Sequence, residues 1–538
     1  MKTVNYQKLA DVLEWCIQYA KELKVNMEDP NGIRRNFSIS DISITLLNYH
    51  DKVIDFDNGI SNNSVFEDET TQMLIQIWIK NNRKKVRISF PYTDLLLDPD
   101  YLKIFFIKVI RSNIMASVNG FFLSKVKDNK FSLFSNEETH IDVKEPAKAE
   151  EFTQEGLNQI QSLFRWLYMQ SNISGVKGSL NLQKKVWIVC NSHGTKVIQD
   201  QSICSILLNF TYLSNKKNLI DGAFSDHYKN FDDIVNSIPE IKIKLQKRLG
   251  KMEMKRIESG IYPILLKPVS VATLFHEAIA GHMLSAKYIL NGNSTVFENK
   301  LGKKFANNGD MPNLDQISIY DMPLDENMLA SYKYDMEGTL AQNVCLLKKG
   351  IVKNYLTDRN TAARLKQKSN GHFLSASFIG EDINGNMVIV RPEPRISNLV
   401  VESHTNISID EIKEMVFEQD DWYLEIESRS GAVFVETGTF DMYAESVTKV
   451  WKDGRRESIG SGVLSSNLTD FLASIQIVSN HYGEGKGFCG SGSGYVPTHE
   501  KAPAMLLYGI NFVTDPKPEK NSDINLERDK FIPDNWKE

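Results

Sequence analysis

The chain has 538 residues, of which 41% are hydrophobic and 24% charged, and a formal net charge of −5. These are ordinary globular values, and the length predicts more than one domain. Basic residues are scattered, which gives no footprint for nucleic acid, and no apolar run approaches the roughly 18–20 residues that span a bilayer.

Residues 5–24 predict a helix, with Leu9, Val12, Leu13, Cys16, Ile17 and Ala20 at helical spacing. Asp11 and Glu14 within it argue against a signal peptide. Strand-like alternation follows in "SISDISITLLNY", "QMLIQIWIK" and "KKVRISF". "DYLKIFFIKVIRSNI" returns to helix, residues 126–156 read as a polar surface excursion, and "GLNQIQSLFRWLYMQ" is again helical. "KKVWIVCNSHGTKVIQD" predicts two strands around a turn at Ser192-His193-Gly194. "FDDIVNSIPEIKIKLQKRLGKM" is mostly helix, broken or kinked by Pro239. From about residue 260 the texture changes. "GIYPILLKP" predicts a strand, a helix carrying His276 follows, and short strands with Gly and Asn turns continue to about residue 515. Asp453-Gly454 is a strong hairpin signal.

The fold class this predicts is α+β. An N-terminal α/β-mixed domain runs to residue 255. A mostly antiparallel β domain with a few helices covers 256–514, and a charged, proline-rich, loosely held tail covers 515–538. Cys16, Cys190, Cys204 and Cys345 sit in apolar runs and read as buried inert thiols. Five cysteines in so long a chain are not a disulfide framework, so a reducing cytoplasm is the expected compartment.

The stretch "TLFHEAIAGHMLSA" carries the chemistry. His276 and Glu277 open like a zinc hydrolase motif, but the second histidine, His282, comes six positions after the first rather than four. At about 100° per residue, six positions lie roughly 240° round a regular helix, on the far side. Two local departures can close the gap. The helix can end at Gly281, or one extra residue can be absorbed as a π-bulge. The competing reading is a chance dipeptide on a core-facing helix.

At this point the sequence resembles the TldD/PmbA family of zinc metallopeptidases, in its TldD-type, metal-bearing branch. "LFHEAIAGHMLSA" resembles the family's H-E-x-x-x-H helix, and "GFCGSGSGYVPTHEKAPAMLL" its C-terminal Cys-Gly element. Between them "SYKYDMEGTLAQNVCLLKKGIVKNYLTDRNTAARL", "VIVRPEPRISNLVVE" and "SRSGAVFVETGTFDMYAESVTKVWKDGR" are similar to intervening segments, in the right order. Upstream, "VWIVCNSHGTKVIQD" resembles the family's Asn-Ser-x-Gly hairpin. The likeness covers about residues 185–510. It implies that His276, His282 and Cys489 are Zn2+ ligands and that Glu277 is the general base. It also implies that Gly487, Gly490, Gly492 and Gly494 admit backbone close to metal and peptide. The family pattern has three residues between Glu and the second His. This chain has four, Ala278 to Gly281, so an inserted residue held in a local bulge is expected.

The implied function is hydrolysis of short or unfolded peptides in an enclosed chamber. The implied assembly is a dimer, either a homodimer or a heterodimer with a PmbA-type subunit, with no nucleic acid and no membrane. The alternative is a catalytically silent subunit that scaffolds or activates a partner. Other candidates are weaker. Asp335 and Glu337 either line the site or order a turn. Arg391 and Arg395 either hold a substrate carboxylate or are structural. His481 and His499 flank Cys489 and are either extra ligands or proton carriers or ordinary surface or core histidines. "GFCGSGSG" lacks the Gly-Lys-Ser/Thr ending of a phosphate loop.

Overall fold

The structure is a computed structural model. It describes residues 4–514 except 24, 29–33, 62–64, 81–84, 94, 124–133, 136, 149, 214–218, 251–254, 256, 306–310, 312 and 382–385. The tail expected over 515–538 lies outside the described residues.

Alternation builds the N-terminal half. Strand Arg34–Asp57 pairs antiparallel with Phe66–Lys80 on one side and Ile173–Asn191 on the other, with Leu46 opposite both Met73 and Ile188. Lys85–Tyr92 extends the sheet beyond the first neighbour, and Lys196–Leu213 then Leu219–Tyr228 extend it beyond the second. Successive side chains of a strand point to opposite faces. Ile42, Ile44, Leu46, Met73, Ile75 and Ile188 therefore share one face, where helices Tyr6–Glu22 and Pro99–Leu123 cover them. Further along, Ile54, Phe56 and Leu180 receive helix Gln154–Tyr168.

The opposite face belongs to the C-terminal half. Leu47, Leu74, Trp187, Val189 and Val197 sit in the same apolar core as the C-terminal strands. Thr45 Oγ1 donates to Met336 O at 2.9 Å, and Trp187 Nε1 donates to Tyr334 O at 3.2 Å. Full burial of a large apolar side chain contributes about 1.5–3 kcal/mol; a neutral hydrogen bond contributes about 1 kcal/mol. Apolar contact therefore dominates the junction, and the two bonds fix its register.

Among the described residues, the C-terminal half contains two large sheets. In the mixed one, strand Gly494–Leu507 pairs antiparallel with Ile475–Ser491 and Ile264–Leu266, and parallel with Asn398–Ser403. The second is antiparallel and runs Gly260–Ile261, Asn511–Thr514, Gly462–Asn467, Thr439–Ala444, Ser430–Phe434. "GIYPILLKP" is thus two strands in two sheets rather than one. Pro263 lies between them, where it has no N–H to give a ladder. Helix Pro268–Phe275 springs directly from Ile264–Leu266, with Pro268 in its first turn.

The expected helix break and hairpin are present, and some elements were not anticipated, among them strand Leu219–Tyr228 and helix Ile409–Gln419. The helix over 231–252 is divided at Ser237 into Phe231–Asn236 and Ile238–Leu249, with Pro239 starting the second part. Asp453-Gly454 turns between Ser446–Trp451 and Arg456–Ile459, with Gly454 at φ +86°. Strand Leu219–Tyr228 was missed because "LIDGAFSDHY" lacks clean alternation; its Gly222 lets the Phe210 ring lie flat on the backbone.

Gly338, at φ +74°, docks the C-terminal half on the N-terminal sheet, and a Cβ there would lie 2.7 Å from Thr195 Cγ2. Gly454 shares the positive φ but faces open space. Gly338→Ala is expected to cost about 1–3 kcal/mol and Gly454→Ala less. Thermal unfolding of the two variants will show the larger midpoint drop for Gly338→Ala.

Candidate metal centre

Helix Pro268–Phe275 continues without a break into a π-helical turn, His276–Ala280. Gly281 N donates to His276 O at 2.8 Å and Leu284 N to Ile279 O at 3.1 Å, both five residues back. Gly281 keeps helical angles (φ −65°, ψ −36°), so the chain does not leave the helix there. The wider turn absorbs the extra residue and carries His282 back to the face of His276. Their ring centroids are 5.8 Å apart, with the planes at 80°.

The hairpin of Ile475–Ser491 and Gly494–Leu507 supplies the other groups. Cys489 Sγ lies 3.6 Å from His282 Nε2, and the ligand atoms of His276, His282 and Cys489 all lie within 4.8 Å of one another. Glu277 Oε2 is 3.9 Å from His282 Nε2. The four residues expected at the site are thus together. Two glycines make this possible by close approach. A Cβ on Gly281 would lie 2.5 Å from His276 Nε2, and one on Gly431 would lie 2.8 Å from Glu277 Cγ.

Sequence reasoning missed Glu500. Its Oε1 sits 2.7 Å from His276 Nδ1, which leaves Nε2 facing Cys489 and His282. Metal-ligating imidazoles usually meet a carboxylate with their other nitrogen. The signal was the second His-Glu pair in "THEKAP". Of that pair, His499 had drawn attention, but strand alternation turns it to the other face. There its Nδ1 accepts from Leu329 N at 3.0 Å and its Nε2 lies 3.2 Å from Glu484.

The other candidates lie elsewhere. Arg395 is buried and structural: it donates to Cys489 O (2.5 Å), Gly494 O (2.8 Å) and Ser493 Oγ (2.6 Å), clamping the turn that carries Cys489. Arg391 and His481 are exposed. Asp335 accepts from the backbone of Glu337, Thr339 and Phe373, and Glu337 accepts from Arg359 N at 2.8 Å. That is the turn-ordering role. Of the glycines near Cys489, Gly487 borders open space, Gly490 lies against the Tyr495 ring, and Gly494 forms the turn at φ +80°.

A cavity of about 80 Å³ opens over the site, lined by His276, Glu277, Glu500, Arg429, Lys486 and Phe488 among others. Burial pushes the Glu277 carboxyl up, opposed by His276 and His282. Burial also pushes the Cys489 thiol up, but His276, His282 and Arg395 outweigh it and hold the thiol well below its usual range. Burial works against a charged His276, while Cys489 and Glu500 outweigh it and hold its pKa well above the usual value.

Two imidazoles, a thiol held toward thiolate and a carboxylate meeting in a cleft are the groups of a metal hydrolase. Residues 259–513 match the model of the PmbA/TldA metallopeptidase C-terminal domain. A metalloprotease of Methanothermobacter thermautotrophicus is 29% identical over 269 residues, covering 49% of this chain and 54% of that protein. A zinc metalloprotease TldD homolog of Saccharolobus solfataricus is 27% identical over 257 residues, 47% of this chain and 52% of the relative. The matched stretch spans about half the length of these relatives. In three dimensions the chain is similar to a protein of Bacteroides thetaiotaomicron described as a modulator of DNA gyrase. That match has a TM-score of 0.64 at 14% identity, over 96% of this chain and 100% of the other. It is also similar to TldE of Thermococcus kodakarensis, with a TM-score of 0.63 at 16% identity, over 93% and 100%. At such identities the likeness is one of fold. Among the described residues, no helix is long and apolar enough to cross a membrane.

The buried Asp335 and Glu337 generate a pH prediction. Burial raises both carboxyls, and for Glu337 the charges of Asp358 and Asp335 add to it. The folded chain therefore holds protons that the unfolded chain, with carboxyl pKa values of about 4, has released. Stability must fall as pH rises from about 4 through the raised folded values. Glu337→Gln removes its share, so the unfolding midpoint should vary less between pH 5 and 8 in the variant than in the parent.

Proposed function

We propose that the chain is a zinc-dependent peptidase acting on short or unfolded peptides, with His276, His282 and Cys489 as ligands and Glu277 as general base. The observation that carries this reading is the convergence of three donor atoms within 4.8 Å from segments 207 residues apart, beside a buried carboxylate. The naming of relatives as metalloproteases supports it. So does the donor set. Imidazole and thiolate suit zinc, and bonds of about 2.0–2.3 Å place tetrahedral ligand atoms roughly 3.5 Å apart; Cys489 Sγ and His282 Nε2 stand at 3.6 Å.

A zinc ion held there would polarise the scissile carbonyl and lower the pKa of the attacking water. Glu277 takes that water's proton on its carboxylate and passes it to the leaving amine. Burial raises its pKa, which makes the carboxylate a stronger base toward that water. Glu500 orients the His276 ring. Among the described residues, strand Ile475–Ser491 pairs as a strand only with Gly494–Leu507. Asn313, Gln316, Thr405 and Ile407 bond the first part of its other edge and Arg395 takes Cys489 O, so the Gly483–Phe488 stretch between them is the part offered to an extended peptide through backbone hydrogen bonds. We extend the proposal to a cytoplasmic dimer, either a homodimer or a heterodimer with a PmbA-type subunit. A subunit that only scaffolds has no use for the four converging groups or for Gly281 and Gly431, which make room for them.

Zinc analysis tests the ligands. About one zinc per chain is expected, lost in His282→Ala and reduced in Gly281→Ala, whose Cβ displaces the His276 ring. Glu277→Gln should keep the zinc and lose about 10²–10⁴-fold in peptide hydrolysis. No zinc in the parent after reconstitution would refute the catalytic reading and favour a silent subunit.

A further inference from the structure

The cleft does not end at the metal centre. A second space of about 540 Å³ adjoins it, and Arg429 and Lys486 line both. The N-terminal half contributes Asp226, Glu240 and Lys244 to this outer space, and the Cys489 hairpin contributes Glu484 and Lys501. Packing of Phe488 edge-on against His227, with centroids 5.1 Å apart, joins the two walls.

Two acids of the outer space share one lysine, and the third faces a histidine that burial holds toward its neutral form. Lys244 stands 2.9 Å from Asp226 and 3.0 Å from Glu240, and Asp226 also accepts from Tyr228 OH at 3.1 Å. Glu484 stands 3.2 Å from His499. Three cations are not paired in this way. Among the described residues, the side chains of Arg429, Lys486 and Lys501 have no carboxylate within ion-pair distance and donate no hydrogen bond. Lys486 rests over the Tyr228 ring at 4.9 Å and Lys501 over Tyr482 at 5.9 Å, contacts that steady a cation without neutralising it. The cleft is therefore polarised along its length. Glu277 and Glu500 lie at the inner end, and cations with no carboxylate within ion-pair distance border its mouth. Concave walls focus such a field onto an incoming charge. A guanidinium with free N–H groups is also a fork matched to a carboxylate.

We infer that Arg429 and Lys486 form a carboxylate-binding subsite beside the metal centre. The preferred substrates are then peptides bearing a carboxylate next to the scissile region, either a free C-terminus or an acidic side chain. This inference rests on the peptidase reading above and deepens it. Arg429 and Lys486 act as specificity-determining residues that place the peptide, with no part in proton transfer.

Binding separates the two claims. Three fluorescent peptides of one uncharged sequence serve as probes: one ending in a free acid, one in an amide, and one amidated with a single Gln replaced by Glu. Their affinities are measured by anisotropy on zinc-treated Glu277→Gln protein, and their hydrolysis on the parent. At least one carboxylate peptide should bind about 10-fold or more tightly than the neutral amide, the gain of a charge-assisted bidentate contact. In hydrolysis the same preference should sit in KM rather than kcat. Which of the two carboxylate peptides gains identifies the source of the anion. Arg429→Gln combined with Lys486→Gln should bring the affinity ratio within about two-fold. Equal affinities for all three peptides, or a preference that survives the double substitution, would overturn the subsite. If the parent cleaves none of them, the peptidase reading fails while the affinities still decide the subsite.

Discussion

The site depends on one backbone hydrogen bond displaced by one residue. Gly281 donates to the carbonyl of His276 rather than to that of Glu277, and the helix widens for a single turn. That widening puts His282 beside His276 despite a spacing that a regular helix would turn away. It works only with glycine at 281, because the turn brings that backbone against the His276 ring. A turn of this kind is unfavourable on its own. It is held by what surrounds it: the helix before it is buried on almost every side, and Leu284 repeats the same bonding three residues on.

The rest of the molecule fixes the partner of that turn. Arg395, buried, grips three groups of the Cys489 hairpin, two of them backbone carbonyls. The guanidinium holds the strand that presents the thiol, and its charge also favours thiolate. Strand Gly494–Leu507 ties this hairpin to Ile264–Leu266, the strand from which the histidine helix starts. The two halves of the site are therefore neighbours in one sheet, although far apart in sequence. The N-terminal sheet borders the outer cleft through Asp226 and is held to the C-terminal half by apolar contact through Trp187 and its neighbours.

Much of this was legible in the residues. Period-two alternation announced the long N-terminal strands, Pro239 announced a helix break, and Asp453-Gly454 a hairpin. The odd spacing of His276 and His282 together with Gly281 narrowed the helix to two local departures, and the structure shows the π-turn. Cys489 was reached through resemblance alone, because nothing local in a Gly-rich strand says which distant helix it will meet. Glu500 escaped because its role is set by which face of a strand it occupies, and the neighbouring His499 drew the eye. The unmatched cations at the mouth of the cleft were also illegible. Charge pairing is a property of three-dimensional neighbours, and Lys244 differs from Lys486 only in having acids within reach.

The place of strand Gly494–Leu507 has a consequence for how the protein comes into being. Ile264–Leu266, Asn398–Ser403 and Ile475–Ser491 all pair with it, and it is the last of the four to leave the ribosome. Domains fold as their chain emerges, and pairings between distant segments form slowly. Until Gly494–Leu507 arrives, the histidine helix has no floor and Cys489 no partner strand. The cleft is thus assembled only as this strand is laid down, and a growing chain cannot hold a finished site near its own unfolded segments.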